Sequence, residues 1–216
     1  MAFELRDLIG AGAPAGFRVY GICADSRQAS TGFAFFAIPG AKADGAKFAN
    51  DAAARGAAVV IGENERPAGL PERILYFRVA DVRRVLAFAA AKVFPRQPQV
   101  IVAVTGTNGK TSVASFVRQI WAALGMRAAS VGTLGLVAPS GEVSGSLTTP
   151  DAVSLHEMLD RLTEAGVTHM AMEASSHGLD QKRLDGVRLA AGAFTNLTPR
   201  HLGYHQTVEG YPSAQM

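Results

Sequence analysis

Cysteine is almost missing from these 216 residues: Cys23 stands alone, so no internal disulfide can form. A reducing, cytoplasmic setting is expected rather than a stapled secreted fold. Charge is sparse as well. Asp, Glu, Lys and Arg make up 18% of the chain and sum to +3 with no block of one sign, which argues against a nucleic-acid partner and suits a small anionic ligand. No apolar run approaches the roughly 18 residues that a membrane helix needs, so no membrane partner is expected. Met1 to Asp7 carries acidic residues where a secretion leader would be basic. No histidine pair has the spacing of a zinc-binding helix, and neither an internal repeat nor a low-complexity tract is visible.

What is present is a phosphate loop. The apolar run Val100 to Val104 leads into Thr105-Gly106-Thr107-Asn108-Gly109-Lys110-Thr111-Ser112, and a helical pattern leaves it. A strand ending in a glycine-rich turn that opens a helix makes an anion site, because backbone N–H groups wrap a phosphate and the helix terminus adds partial positive charge. A lysine then reaches the terminal phosphates. Read as G-x-x-G-K-[ST], the loop is two residues shorter than G-x-x-x-x-G-K-[ST]. The order of strand, loop and helix points to a nucleoside triphosphate.

Short apolar runs alternate with helical stretches, the pattern of an α/β fold with largely parallel sheets. In the first part the expected strands are Val19–Cys23, Phe33–Ile38, Ala57–Ile61 and Ile74–Val79. Expected helices run from Asp44 to Arg55 and from an N-cap at Asp81 to about Phe94. Pro95-Arg96-Gln97-Pro98 breaks the pattern, giving a first domain over 1–95 and a second over 99–216. The second holds strand Val100–Val104, a helix from Lys110 to about Leu124, strand Ala128–Val131 and a polar loop through Gly145. A helix starting at Thr149 or Pro150 and ending near Ala165, then strands His169–Glu173 and Ala190–Thr195, complete it. With about four parallel strands, this second sheet is expected to be incomplete.

Ligands of open α/β sheets sit at the carboxyl ends of the strands. Three such ends carry polar groups: the loop after Val104, Glu173, and Thr195-Asn196. Glu173 is a candidate to hold Mg²⁺ against phosphate oxygens, with the Thr111 hydroxyl as its protein partner. His177, His201 and His205 cluster in the later loops, where histidines more often make hydrogen bonds than ligate. Arg183, near Ser175 and Gln181, forms a candidate anion-recognising group. Trp121, Phe33, Phe35 and Phe36 read as core.

Together these residues resemble the Mur ligase family, the ATP-dependent amide-forming enzymes of peptidoglycan precursor synthesis, and within it the branch that adds the third residue. The marks are Asp25-Ser26-Arg27, Gly32 to Gly40, Asp44-Gly45, Thr105 to Ser112, Leu147-Thr148-Thr149-Pro150, Met172 to Leu179, Arg183 and Phe194-Thr195-Asn196-Leu197. The resemblance implies a small N-terminal UDP-recognition domain followed by an incomplete P-loop-type parallel α/β domain. It implies UDP-N-acetylmuramoyl-dipeptide as substrate partner and ATP and Mg²⁺ as cofactors. Gly106, Thr107, Asn108, Gly109, Lys110, Thr111 and Ser112 would bind ATP. Ser26 with Ala41, Lys42 and Ala43 would contact the UDP-sugar, and Thr148, Thr149, Ser175, Gln181 and Arg183 the muramoyl-peptide. Lys110, Glu173 and His205 would be catalytic, with Thr111, Glu173 and His205 as metal ligands.

The chain also departs from that pattern. Arg200 and Gly203 stand where the family carries aspartates, a local change of three formal charges, two at Arg200 and one at Gly203. Gln215 replaces a lysine that the family carbamylates, and a neutral amide is a poorer ligand for a hard cation. Ala46 stands where a histidine is common. The rest of the central domain and the amino-acid-binding domain are expected to be absent. A fragment or shortened relative, inactive alone, is the leading expectation, with a non-catalytic ATP or UDP-ligand binding module as the alternative.

Overall fold

The computed structural model describes residues 1–40, 44–143 and 148–197. They divide into two compact units, one within Met1–Val93 and one from Phe94 onward.

The first unit is a mixed α/β layer. Strand β1 (Phe3–Glu4) leads into helix α1 (Leu5–Ile9) and pairs antiparallel with β2 (Arg18–Val19). Strands β3 (Gly21–Cys23), β4 (Phe33–Phe36), β5 (Val59–Gly62) and β6 (Leu75–Arg78) form a parallel sheet in that spatial order. Helix α2 (Ala49–Ala54) joins β4 to β5, and α3 (Val82–Val93) follows β6. β5 is buried along its whole length, as expected of a parallel strand covered on both faces. Alanines 49, 52 and 53 of α2 pack on Phe35 and Val60, where their small side chains let the helix approach the sheet closely.

Two expectations need correction here. Val19–Cys23 is not one strand: Tyr20 is exposed, its N–H donates to Gly32 O at 3.0 Å, and the residues on either side of it join different sheets. The helix expected from Asp44 begins as a 3-10 turn, Gly45–Phe48, because the Asp44 carboxylate accepts the Ala46 N–H at 2.9 Å and tightens the first turn.

In the second unit, β7 (Val100–Thr105) enters the phosphate loop and α4 (Lys110–Ala123) leaves it. β8 (Ala128–Gly132), β9 (Gly135–Ala138), β10 (Gly141–Val143), α5 (Ala152–Glu164), β11 (His169–Glu173), α6 (Ser176–Asp180) and β12 (Ala191–Phe194) follow. The sheet order is β10-β9-β8-β11-β7-β12, with β8, β11, β7 and β12 parallel. Alternate residues of each strand face opposite ways. Met170 and Met172 of β11 with Ile101 of β7 pack on Leu155 and Leu159 of α5, whereas Ala171 and Val104 pack on Ala114 of α4. The two helices therefore cover opposite faces.

The polar loop expected through Gly145 instead contains the β9–β10 hairpin; the chain reverses from β8 into β9 beside Gly135 and from β9 into β10 beside Gly141, at φ +90° and +127°, where only glycine is unstrained. α5 starts at Ala152, later than expected, because the Asp151 carboxylate caps the Val153 and Ser154 N–H groups. The Pro95–Pro98 break is tied to this unit. Arg96 bonds Asp160 and Glu164 of α5, and the buried Gln97 side chain donates to Gly186 O and accepts from Arg188 N–H, both at 2.9 Å. Among the described residues, no helix is long and apolar enough to cross a membrane.

Candidate active site

The phosphate loop is built by two glycines. Gly106 has φ +124°, and a Cβ there would lie 2.2 Å from Thr195 Oγ1. Gly109, left-handed at φ +87°, is the N-cap of α4 and turns the chain into the helix that begins with Lys110. The Lys110 ammonium donates to Gly106 O at 2.6 Å and Thr107 O at 3.2 Å. The exit of β12 straps the loop from outside. Thr107 N–H donates to Asn196 O at 2.8 Å, Asn108 N–H to Asn196 Oδ1 at 3.1 Å, and Asn196 Nδ2 returns a bond to Asn108 O at 3.1 Å.

Glu173 ends β11, next to β7 and in register with Val104. Its side chain is buried, 2% exposed, and is held by Thr133: the N–H donates to Oε1 at 2.9 Å and the hydroxyl to Oε2 at 3.3 Å. Thr133 Oγ1 also lies 3.2 Å from Thr148 Oγ1, so one hydroxyl can accept from Thr148 while donating to Glu173. Gly132 leaves room for the carboxylate, since a Cβ there would stand 2.0 Å from Oε1. Below, the Thr149 hydroxyl donates to Glu173 O at 3.0 Å and accepts the Ser175 N–H at 3.0 Å. Ser175 Oγ in turn accepts the Gly178 N–H and caps α6. Arg183 donates to Thr149 O at 2.6 Å and holds Gln181 Oε1 at 2.7 Å.

These groups surround a cavity of about 420 Å³ lined by Thr107, Asn108, Gly109, Lys110, Thr111, Thr133, Thr148, Glu173, Ser175, Ser176 and His177. The expected ATP residues Thr107 to Thr111 and the expected peptide-binding residues Thr148 and Ser175 thus open on one space. Thr149, Gln181 and Arg183 support its wall rather than line it, and neither Gly106 nor Ser112 is in the lining. Ser26 belongs to the first unit. It is buried at the head of the 3-10 turn Ser26–Gln28, and its hydroxyl, with Arg55, holds the Asp51 carboxyl below the usual carboxylate range. Ala41, Lys42, Ala43, Arg200, His201, Gly203, His205 and Gln215 lie outside the described residues. Thr133 was missed from the sequence. The available signal was its place directly after Gly132, at the carboxyl end of a parallel strand.

Residues 104–216 match the family model described as the Mur ligase middle domain, and residues 18–94 that described as the Mur ligase family, catalytic domain. The chain belongs to the Mur ligase family. It is 57% identical over 219 residues to the UDP-N-acetylmuramoyl-L-alanyl-D-glutamate--2,6-diaminopimelate ligase of Mesorhizobium japonicum, over 99% of this chain and 45% of that relative. A solved structure of a UDP-N-acetylmuramoyl-L-alanyl-D-glutamate--2,6-diaminopimelate ligase superposes with a TM-score of 0.84 at 31% identity, covering 99% of this chain and 44% of that one. The MurF ligase of Thermotoga maritima, solved in complex with ADP, shares the fold at a TM-score of 0.58 and 20% identity, over 90% of this chain and 42% of its own. This Mur ligase chain therefore spans under half the length of these relatives.

Proposed function

We propose that this chain carries the UDP-sugar-recognising and ATP-binding parts of a ligase that joins 2,6-diaminopimelate to UDP-N-acetylmuramoyl-L-alanyl-D-glutamate. The reaction passes the ATP γ-phosphoryl group to the substrate carboxylate. The incoming amine then attacks the acyl phosphate and expels phosphate. The observation that carries this reading is the opening of Lys110, Thr111 and Glu173 on the same cavity as Thr148 and Ser175.

Each of these side chains has a physical task. Lys110 places its ammonium on the triphosphate oxygens, exchanging neutral carbonyl partners for charged ones. The first amides of α4 have no intrahelical partner and face developing negative charge. Thr148 and Ser175 orient the muramoyl-peptide so that its carboxylate meets the γ-phosphorus in line, and positioning of this kind supplies much of the rate in phosphoryl transfer. The oxygen-only donor pair Thr111 and Glu173 fits a hard cation that takes most of its shell from phosphate and water. Gly132 keeps the carboxylate's space clear. Those two residues would hold Mg²⁺, which when bound neutralises charge on the transferring phosphoryl group.

Titrating the purified chain with ATP and Mg²⁺ tests the reading. Saturable binding is expected, weakened about a hundredfold or more in Lys110→Ala, the scale of a lost charge-assisted phosphate contact. Equal affinity of the two proteins would reject it. Gln215, standing where the family pattern has a lysine, favours a second reading, a binding module without turnover, for which UDP-muramoyl-dipeptide would bind and no tripeptide would form.

A further inference from the structure

The structure assigns Asn196 the role of positioning residue for the phosphate loop, a role that rests on the nucleotide reading above. Its carboxamide treats Asn108 as a strand would treat a neighbour: Oδ1 takes the N–H and Nδ2 donates to the C=O, each at 3.1 Å. The Asn196 main chain takes the Thr107 N–H at 2.8 Å. Beside it, the Thr195 hydroxyl donates to Asn108 O at 2.7 Å. Gly106 exists in the form needed for this contact, since a Cβ would lie 2.2 Å from Thr195 Oγ1 and 2.9 Å from Asn196 O.

Two consequences follow. With both backbone polar groups of Asn108 and the Thr107 N–H given to Asn196, the loop amides downstream of the clamp that can face a phosphate are those from Gly109 onward, the unpaired first turn of α4. The Asn108–Gly109 peptide that aims those amides is fixed by a side chain about 88 residues away in sequence, at the end of the neighbouring strand β12. Asn196 therefore acts on phosphates through the loop, without touching the base.

The test uses the whole chain with two probes, ATP and inorganic tripolyphosphate, each with Mg²⁺, in wild type, Asn196→Ala and Thr195→Val. Loss of the carboxamide is expected to weaken both probes by the same factor, about tenfold, and Thr195→Val by about threefold, the usual scale for lost neutral hydrogen bonds. Thermal midpoints report whether each variant folds, and Thr195→Val, which keeps the shape of the strap, carries the test if Asn196→Ala does not. A loss confined to ATP would place Asn196 on the base and overturn the inference, as would unchanged binding of both. Amide hydrogen exchange on the protein without nucleotide gives a readout independent of binding. The Asn108 N–H is expected to lose protection in Asn196→Ala, and retained protection would also overturn the assignment. If wild type bound neither probe, the nucleotide reading would fail separately, while the exchange measurement would still decide the clamp.

Discussion

A methyl group at Gly132 would stand 2.0 Å from Glu173 Oε1. The backbone there is not left-handed, so alanine would fit the chain and the damage would fall on the carboxylate, which is buried and would be pushed off its bonds to Thr133. Gly132→Ala is expected to cost about 1–3 kcal/mol of stability, typical of overpacking, and to weaken Mg²⁺-ATP about tenfold or more. Denaturant unfolding and calorimetric titration check the two effects separately. His156 offers a second handle at this scale. It is fully buried on α5, and because a carbonyl only accepts, Nε2 carries the proton that reaches Asp185 O at 3.0 Å. Nδ1 has no partner among the described residues. Burial pushes its pKa below the ordinary 6.5, aided by nearby Arg188. The unfolded chain takes up a proton near that value which the folded chain refuses, so stability is full above it and falls as pH drops below it. His156→Gln keeps a donor for Asp185 O and removes the titration, so its stability is expected to flatten between about pH 6.5 and pH 5. Urea midpoints across that range measure the difference.

At the scale of elements, the stretch that reads as a linker is partly structure. Pro95 and Pro98 mark a break, but Gln97 is only 6% exposed and satisfies both Gly186 O and Arg188 N–H. Gln97→Ala strands both backbone groups and is expected to destabilise the second unit by about 2 kcal/mol, read from denaturant unfolding. No sequence pattern announces such a role, because its partners lie 89 and 91 positions away. The elements that were legible are those with strong local signals. The apolar runs of β5, β7 and β11, the left-handed Gly109 and the spacing of Leu155, Leu159 and Leu162 mark their own structure. The β9–β10 hairpin was not legible, since its glycines read as loop while its pairing with β8 is made through space. For the site, Lys110, Thr111 and Glu173 followed from strand ends and the loop. Thr133 and the clamp at Asn196 depend on which strands are neighbours, an arrangement set by the sheet order rather than by spacing.

For the molecule as a whole, the sheet of the second unit has unlike edges. On one side the short antiparallel β9 and β10 cover β8. On the other, β12 is exposed along its length, and Phe194 and Leu197 are 52% and 45% exposed. A parallel sheet is normally covered on both faces, and this one belongs to a chain that spans under half of its relatives. With Gln215 standing where the family pattern has a lysine, this chain by itself is expected to bind nucleotide without forming amide product. Incubation with ATP, UDP-muramoyl-dipeptide and diaminopimelate, followed by chromatography of the products, checks this; release of a UDP-muramoyl-tripeptide would contradict it.

The Lys110 ammonium, already seated on the Gly106 and Thr107 carbonyls, bears on the thermodynamics of ligand capture. A triphosphate arriving there swaps one set of polar partners for another at an ammonium that is already placed, and its own contact with Lys110 buries no apolar surface. Heat capacity should then change little on association, unlike recognition coupled to folding, in which that quantity falls steeply. Raising ionic strength, by contrast, should loosen the complex, because the new partners carry full charge and the old ones did not.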